Sequence, residues 1–448
     1  MVSKKKIIVF LRITIFAFLI ISCSTSDESM EDLSEADSDM DGILDANDNC
    51  LVSANSDQND ADGDGIGDIC DTTFTFNTVP CVGGMANTYP CNDYDLLQHI
   101  PLSYFDAESA NDSWGWQDPE TKKEYAIIGL ENGTAFVDIT NASEAIYLGK
   151  LPTATVNSSW RDIKVYNNHA FIVSEAQGHG MQVFDLLKLR NVINPPETFL
   201  ADNHYTGFGN AHNMVINEAT GYAYPVGTSR SGPYLGGPLF INIQNPTAPI
   251  DEGRYAMDNY SHDAQVVTYN GSDTEHIGKE ILVGSNENEV VIVDITDKSN
   301  PKNISKISYA NVGYTHQGWF TENHQYFILG DELDERNFGF NTRTLVFDFT
   351  DLDNPKLKTT YIGPTAAIDH NGYTKNNVFY LANYTAGVRF IDISDISNGV
   401  LNEVGYFDTY PAHNNAAFNG AWNVFPYLES GKIIVSDIDS GLFIIKKK

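Results

Sequence analysis

The sequence predicts an all-β chain built mainly as a seven-bladed β-propeller of four-stranded blades, preceded by a small calcium-binding segment. Three observations carry this expectation. First, an apolar strand with Asp or its equivalent at one position recurs in AFVDIT, QVFDLL, LFINIQ, VIVDIT, LVFDFT, RFIDIS and LFIIKK, at Asp138, Asp185, Asn242, Asp294, Asp348, Asp392 and Ile444. The intervals of 47, 57, 52, 54, 44 and 52 residues are those of propeller blades. Second, each unit holds further apolar runs: an inner-strand candidate (WRDIKV, HNMVIN, HDAQVV, HQGWF, HNGY), a second run (YAIIGL to KIIVSD) and, in most units, a closing run (IYLGKL, DEGRYA, ISKISYA, KTTYIG, EVGYFD). Third, helical periodicity is nearly absent, which disfavours parallel βαβ folds and leaves short strands as the building unit.

Taken from the N-terminus, residues 1–22 read as a secretory signal. Lys4, Lys5, Lys6 and Arg12 precede an apolar stretch ending in Leu19-Ile20-Ile21-Ser22-Cys23, the pattern of a basic n-region and a short h-region. A transmembrane anchor is the weaker alternative, because the run lies near the lower limit for a span of about 20 residues. The small Ser22 before Cys23 resembles a bacterial lipoprotein box, which implies lipidation of Cys23 and attachment to the membrane through that lipid. The acidic linker of residues 23–36, with Asp27, Glu28, Glu31 and Asp32, resembles the export tags of surface-exposed lipoproteins. The expected location is therefore the outer membrane, facing out of the cell.

Residues 37–71 contain one template twice: DSDMDGILDAND from Asp37 to Asp48 and DADGDGIGDICD from Asp60 to Asp71. Alternate carboxylates at positions 1, 3 and 5 converge on one hard cation, and glycine at position 6 permits the turn. The expected calcium ligands are Asp37, Asp39, Asp41, Asp45 and Asp48 in the first copy, and Asp60, Asp62, Asp64, Asp68 and Asp71 in the second. Position 12 is Asp rather than Glu and no flanking helices are evident, so an EF-hand is not expected. With its NSDQ and paired cysteines the stretch resembles thrombospondin type 3 repeats, which implies calcium as cofactor and a segment with little core of its own. Without the ion, repulsion among 16 acids in residues 24–71, a span with no Lys or Arg, should keep this stalk extended.

Cys50, Cys70, Cys81 and Cys91 remain once Cys23 is set aside. An even number in an exported chain suggests two disulfides, and the clustering favours Cys50–Cys70 and Cys81–Cys91. Residues 92–448 carry no cysteine and must hold together by burial.

The seventh unit of that propeller domain runs out of chain after GLFIIK. LLQHIPLSYF (Leu96–Phe105) resembles the outer strands of the other units and is expected to supply the missing fourth strand, closing the ring without an exposed edge. The repeats resemble LVIVD-repeat propellers, and the order of motifs from about Pro80 onward resembles the choice-of-anchor B family. The resemblance rests on YPCNDYDLLQHIPL, WGWQDP, WRDIKVY, GHGMQVFD, AHNMVIN, HDAQVV, THQGWF, GDELDE, DHNGY, NYTAGVRFIDI and FNGAW. It implies a shared body with varied modes of surface attachment, and no assigned chemistry.

Function concentrates on one expected face. His212, His262, His316 and His370 open consecutive inner strands, with Arg161-Asp162 in that register one blade earlier and Asp263 beside His262. The loops expected on the same face bring Glu175, His179, Arg230, Glu287, Asp331, Glu332, Asp334 and Glu335. Three readings follow for this channel mouth. The histidines can be a repeated hydrogen-bonding device. The mouth can bind a surface protein or a glycan, using Trp114, Trp116, Trp160, Trp319, Trp422 and Tyr234. Or the imidazoles can ligate a transition metal and support metal-dependent chemistry, the less favoured reading because no local ligand pair such as H-E-x-x-H is present. The sequence favours a binding or scaffold module over an enzyme. A formal charge of −33, from 27 basic and 60 acidic residues, excludes electrostatic capture of nucleic acid.

Overall fold

The computed structural model describes residues 36–60, 62–71 and 73–448. The expected signal, Cys23 and most of the acidic linker lie outside the described residues. Residues 94–447 form seven four-stranded antiparallel blades around one axis. The inner strands are Ala110–Gln117, Arg161–Tyr166, Asn213–Asn217, Asp263–Thr268, Thr315–Phe320, Gly372–Lys375 and Ala421–Phe425, in blades 1 to 7. Among the described residues no helix is long and apolar enough to cross a membrane.

The periodic Asp or Asn marks the end of the third strand in blades 1 to 6. The side chains of Asp138, Asp185, Asn242, Asp294, Asp348 and Asp392 each accept the backbone N–H two residues on, at 2.8–3.0 Å. Such a turn suits Asp and Asn because their short side chain reaches its own backbone. In five of these blades the register to the fourth strand slips just before this residue. A bulge there bends the strand and increases its twist.

Cores form between blades rather than within one. Ile127 and Phe136 of blade 1 pack with Ile163, Ile172 and Phe184 of blade 2, and Ile434 and Ile444 of blade 7 pack with Ile128 and Val137 of blade 1. Each fully buried side chain of this size contributes roughly 1.5–3 kcal/mol. Side chains also clasp the inner strands. Asp112 accepts from Ile163 N–H at 2.9 Å, Asp162 from Met214 N–H at 2.7 Å, Gln265 from Phe320 N–H at 2.7 Å and Gln317 from Gly372 N–H at 3.0 Å.

The ring closes as expected, with one change of length. The outer strand of blade 7 is Tyr94–Ile100, paired from Leu442↔Ile100 to Lys447↔Tyr94. Pro101 interrupts it, and Leu102–Phe105 turns into a short 3-10 helix that buries Tyr104 and Phe105. The chain before residue 94 also belongs to the rim. Thr73–Thr75 pairs with Glu144–Ile146 of blade 1, Val79 bridges Leu96, and Cys91 and Asn92 pair with Phe407 and Tyr406 of blade 6. This belt spans the seam, and the Cys81–Cys91 disulfide lies within it. The other disulfide joins Cys50 to Cys70.

The calcium segment lies against the propeller: Ser103 Oγ donates to Asp68 at 2.8 Å and Thr75 N–H to Asp62 at 2.7 Å. A cleft of about 910 Å³ between the two is lined by Asn55, Asp68, Ser103, Tyr104, Lys150 and Glu197 among others.

Candidate functional site

The four repeated histidines form a continuous arc of rings, with His262, His316 and His370 buried and His212 partly exposed at one end. His212 and His262 have centroids 4.2 Å apart, His262 and His316 4.4 Å, His316 and His370 4.5 Å. Three of them immediately or nearly precede an inner strand, so the strand spacing sets the ring spacing. His316 sits where the blade 5 register slips between Thr315 and Gln317, a bulge that re-aims a side chain.

Hydrogen bonds select the tautomers. His370 Nδ1 meets the carbonyl of Trp422 at 2.6 Å and His262 Nδ1 meets that of His316 at 3.3 Å. A carbonyl only accepts, so these Nδ1 atoms carry the hydrogen and leave Nε2 with a lone pair. His212 Nδ1 meets Glu175 at 2.6 Å. Burial opposes charge on His212, but the Glu175 hydrogen bond and charge outweigh it and raise its pKa. Burial, reinforced by neighbouring imidazoles, holds His262 and His316 well below the usual range. Burial also brings His370 down to about 3 and raises Glu332. Glu332 reaches into the arc: its Oε1 lies 3.7 Å from His316 Nε2 and 3.6 Å from His370 Nε2, and accepts from Tyr384 Oη at 2.8 Å. Tyr384 carries no sequence signal for this role. It is a buried non-glycine residue at φ 35°, a costly conformation that a surrounding structure must enforce.

The other expected mouth residues divide into separate groups. Arg161 and His179 face each other at 3.0 Å, and Arg161 also donates to the Leu130 carbonyl. Asp162 pairs with Lys164 at 2.6 Å as well as clasping blade 3. Asp263 accepts from Ala264 N–H, and burial, with Asp162 adding to it, raises its pKa to about 7. Asp331 is fully buried and accepts from Tyr309, Gly313 and Tyr314. Asp334 pairs with Arg343, and Glu335 accepts Arg343 N–H. Arg230 and Glu287 form an exposed ion pair at 2.6 Å. Of the acidic GDELDE loop, Glu332 is the member that meets the histidines.

The aromatics expected beside the histidines separate by end of the channel. Trp422 contacts His370 at 4.8 Å. Trp114, Trp116 and Trp319 lie toward the other ends of their strands, where with Phe425 and Tyr427 they line a cavity of about 460 Å³. Lys164, Gln117, Asn167, Asn168 and Glu218 add polar groups to its wall, and the Lys164 ammonium lies 4.6 Å from the Trp114 ring centre. Asn168 accepts from the Trp116 indole at 3.2 Å. Trp160 is instead 45% exposed, and Tyr234 stacks under Arg254.

The two acidic loops share one geometry. Asp37 accepts from Met40 and Gly42 N–H, and Asp60 from Gly63 and Gly65. Asp41 and Asp64 accept from Ile43 and Ile66 at 2.7 and 2.8 Å. Position 4 needs a left-handed backbone as position 6 does: φ is 66° at Met40 and 75° at Gly63, 96° at Gly42 and 94° at Gly65. Carboxylate oxygens of Asp37, Asp39 and Asp41 lie within 4.8 Å of one another, as do those of Asp60, Asp62 and Asp64. Burial raises the pKa of Asp39 and of Asp62, and neighbouring aspartates add to it, Asp41, Asp48 and Asp37 at the first and Asp64 and Asp60 at the second. Oδ2 of Asp39 and Oδ2 of Asp48 are buried without a hydrogen bond among the described residues. All-oxygen donors with spare capacity suit a hard cation. Asp45 is engaged by Ser38, Asp48 by Cys50 N–H and Gln58, and Asp68 by Ser103. Asp71 is buried beside them.

Comparison with known proteins agrees with this division. The thrombospondin type 3 repeat model matches residues 30–58 and 59–74, and the LVIVD repeat model matches residues 279–309. No curated protein matches the chain. Among solved structures, the β-propeller domain of Cps50 (Swd1) from Myceliophteria thermophila is similar at 9% identity and a TM-score of 0.47, over 72% of this chain and 93% of that one.

Proposed function

We propose that this chain is a lipid-anchored binding module of the outer membrane surface, carrying its propeller on a calcium-stiffened segment and taking a glycan as ligand. The anchor rests on the basic n-region, the apolar stretch and Cys23. The arrangement agrees with the choice-of-anchor B family that the motifs resemble. Calcium, held by the Asp37–Asp41 and Asp60–Asp64 carboxylates, would neutralise the loops and order the backbone around them; thrombospondin type 3 repeats bind calcium in general.

The observation that carries binding is the aromatic cavity. Its volume of about 460 Å³ falls within the roughly 300–1,000 Å³ of small-ligand sites. A sugar ring offers an apolar face with hydroxyls at its edge. Trp114 and Trp319 are half-buried and offer flat rings, while Gln117, Asn167 and Glu218 offer hydrogen-bonding groups around them. Titrating the calcium-loaded chain with a panel of oligosaccharides, read by tryptophan fluorescence, tests the reading. Saturable quenching lost in Trp114→Ala and Trp319→Ala supports it. No response across the panel, with a protein captured at this mouth by crosslinking, would replace the glycan with a protein ligand. Metabolic labelling with a fatty acid, abolished in Cys23→Ser, tests the anchor.

A further inference from the structure

His316 is an anomaly. It is 2% exposed, its Nδ1 is buried without a hydrogen-bond partner among the described residues, and its Nε2 lies 3.7 Å from Glu332 Oε1, too far for a hydrogen bond. A buried polar group left so costs roughly 1–3 kcal/mol; an ion on Nε2 does not relieve Nδ1, so what holds the ring in place has to act at Nε2. His370 poses the same problem from the other side. Its Nδ1–H is committed to the Trp422 carbonyl, so its Nε2 lone pair faces the Glu332 oxygen at 3.6 Å. A lone pair opposite a carboxylate oxygen is repulsive unless something positive stands between them.

We infer that His316 Nε2, His370 Nε2 and a Glu332 carboxylate oxygen hold one divalent first-row transition-metal ion on the axial face of the propeller. One nitrogen of each histidine and one Glu332 carboxylate oxygen lie within 4.8 Å of one another. Atoms bound about 2.0–2.2 Å from a tetrahedral ion stand roughly 3.3–3.6 Å apart, so 3.6 and 3.7 Å are too long for a hydrogen bond and close to the spacing of ligands sharing an ion. Two imidazoles and one carboxylate select a transition metal over calcium, which takes oxygen ligands. The His370 Nδ1–H bond to a carbonyl and the Tyr384 hydroxyl on Glu332 are the outer contacts that orient metal ligands. Tyr384 is a positioning residue, held in its unusual backbone conformation between His370, at 4.5 Å, and Glu332. With three protein ligands the ion keeps at least one open position for water or a small molecule. This inference does not depend on the aromatic mouth.

The test uses the full chain with excess Ca²⁺ to saturate the acidic loops, titrated with Co²⁺. The expected result is one equivalent bound with a visible ligand-field spectrum distinct from the aqueous ion. Glu332→Gln, which is nearly isosteric, and His316→Gln should abolish that spectrum with the melting temperature of the metal-free chain little changed. Tyr384→Phe should weaken binding about 10-fold. A spectrum no different from aqueous Co²⁺, or one that survives both ligand variants, overturns the inference. Should the variants not fold, pulsed electron paramagnetic resonance on the Cu²⁺-loaded wild-type chain decides: coupling to two imidazole nitrogens supports the site, and oxygen-only coordination refutes it.

Discussion

Phe443 on the last strand and His99 on the strand that enters the propeller stack 4.1 Å apart, nearly parallel at 15°, across the seam where the two chain ends pair. Tyr89 packs edge-on against Phe443 at 5.2 Å, so the belt, the first strand and the last strand meet at one aromatic cluster. Phe443→Ala should therefore destabilise the whole ring by about 3–5 kcal/mol, measured as a lower denaturation midpoint with single-step unfolding retained. A loss confined to blade 7, seen as a separate early transition, would mean that the seam does not control the fold.

His99 gives this seam a pH dependence. Burial lowers its pKa from 6.5 to about 4, against the opposing Ser440 carbonyl at 2.9 Å. The unfolded chain then binds the proton more readily, so this contribution is present above 6.5 and is lost as pH falls toward about 4. His99→Phe should lose less stability between pH 7 and pH 5 than the wild type does, by thermal unfolding at both values.

Asp263 acts in the opposite direction. It lies with Asp112 and Asp162 around the single ammonium of Lys164, and its pKa is raised from 3.8 to about 7. Its contribution is present below about 4 and lost as pH rises through about 7, a difference of at most about 4 kcal/mol. Asp263→Asn should accordingly melt higher than the wild type at pH 8, with the gap closing at pH 5. An unchanged gap would show that the carboxyl stays ionised at both values.

Calcium removal should loosen the acidic segment without opening the ring, because its carboxylates reach the propeller at Thr75 and Ser103, beside the strand pairing of Tyr94–Ile100 with Leu442–Lys447 that closes it. Chelation is expected to speed protease cleavage within residues 37–71 and to expose Tyr104, which packs where that segment docks. Asp62→Asn with Asp64→Asn should mimic this in the second loop alone. Unfolding of the propeller on chelation would assign the ion a wider structural role.

Much of this architecture was legible in residue order. The recurring Asp or Asn located the third strand in six of the seven blades because each one closes the same local turn, and local turns need nothing from elsewhere in the chain. The histidine spacing likewise announced an arc, since equivalent positions of a closed ring must be neighbours. Asp162 was less legible: beside Arg161 it reads as a mouth residue, yet its carboxylate clasps blade 3 and Lys164. Side chains that alternate along one strand face different neighbours, and the period alone does not say which. Leu96–Phe105 was read as one strand because its apolar pattern continues past Pro101, where the chain turns to bury Tyr104 and Phe105 against blade 1.

By itself, then, residue order determined the repeat, its closure by an N-terminal outer strand, both cysteine pairs and the two acidic loops, all set by local chemistry or by a fixed period. Tertiary structure alone decided that, of the acids expected on that face, Glu332 is the one that meets His316 and His370 with Tyr384 of the next blade beside it, that the tryptophans gather at the far mouth, and that the calcium segment docks beside Tyr104. Those relations depend on register, bulges and packing between blades, which place atoms to within an ångström and leave no trace in the order of the residues.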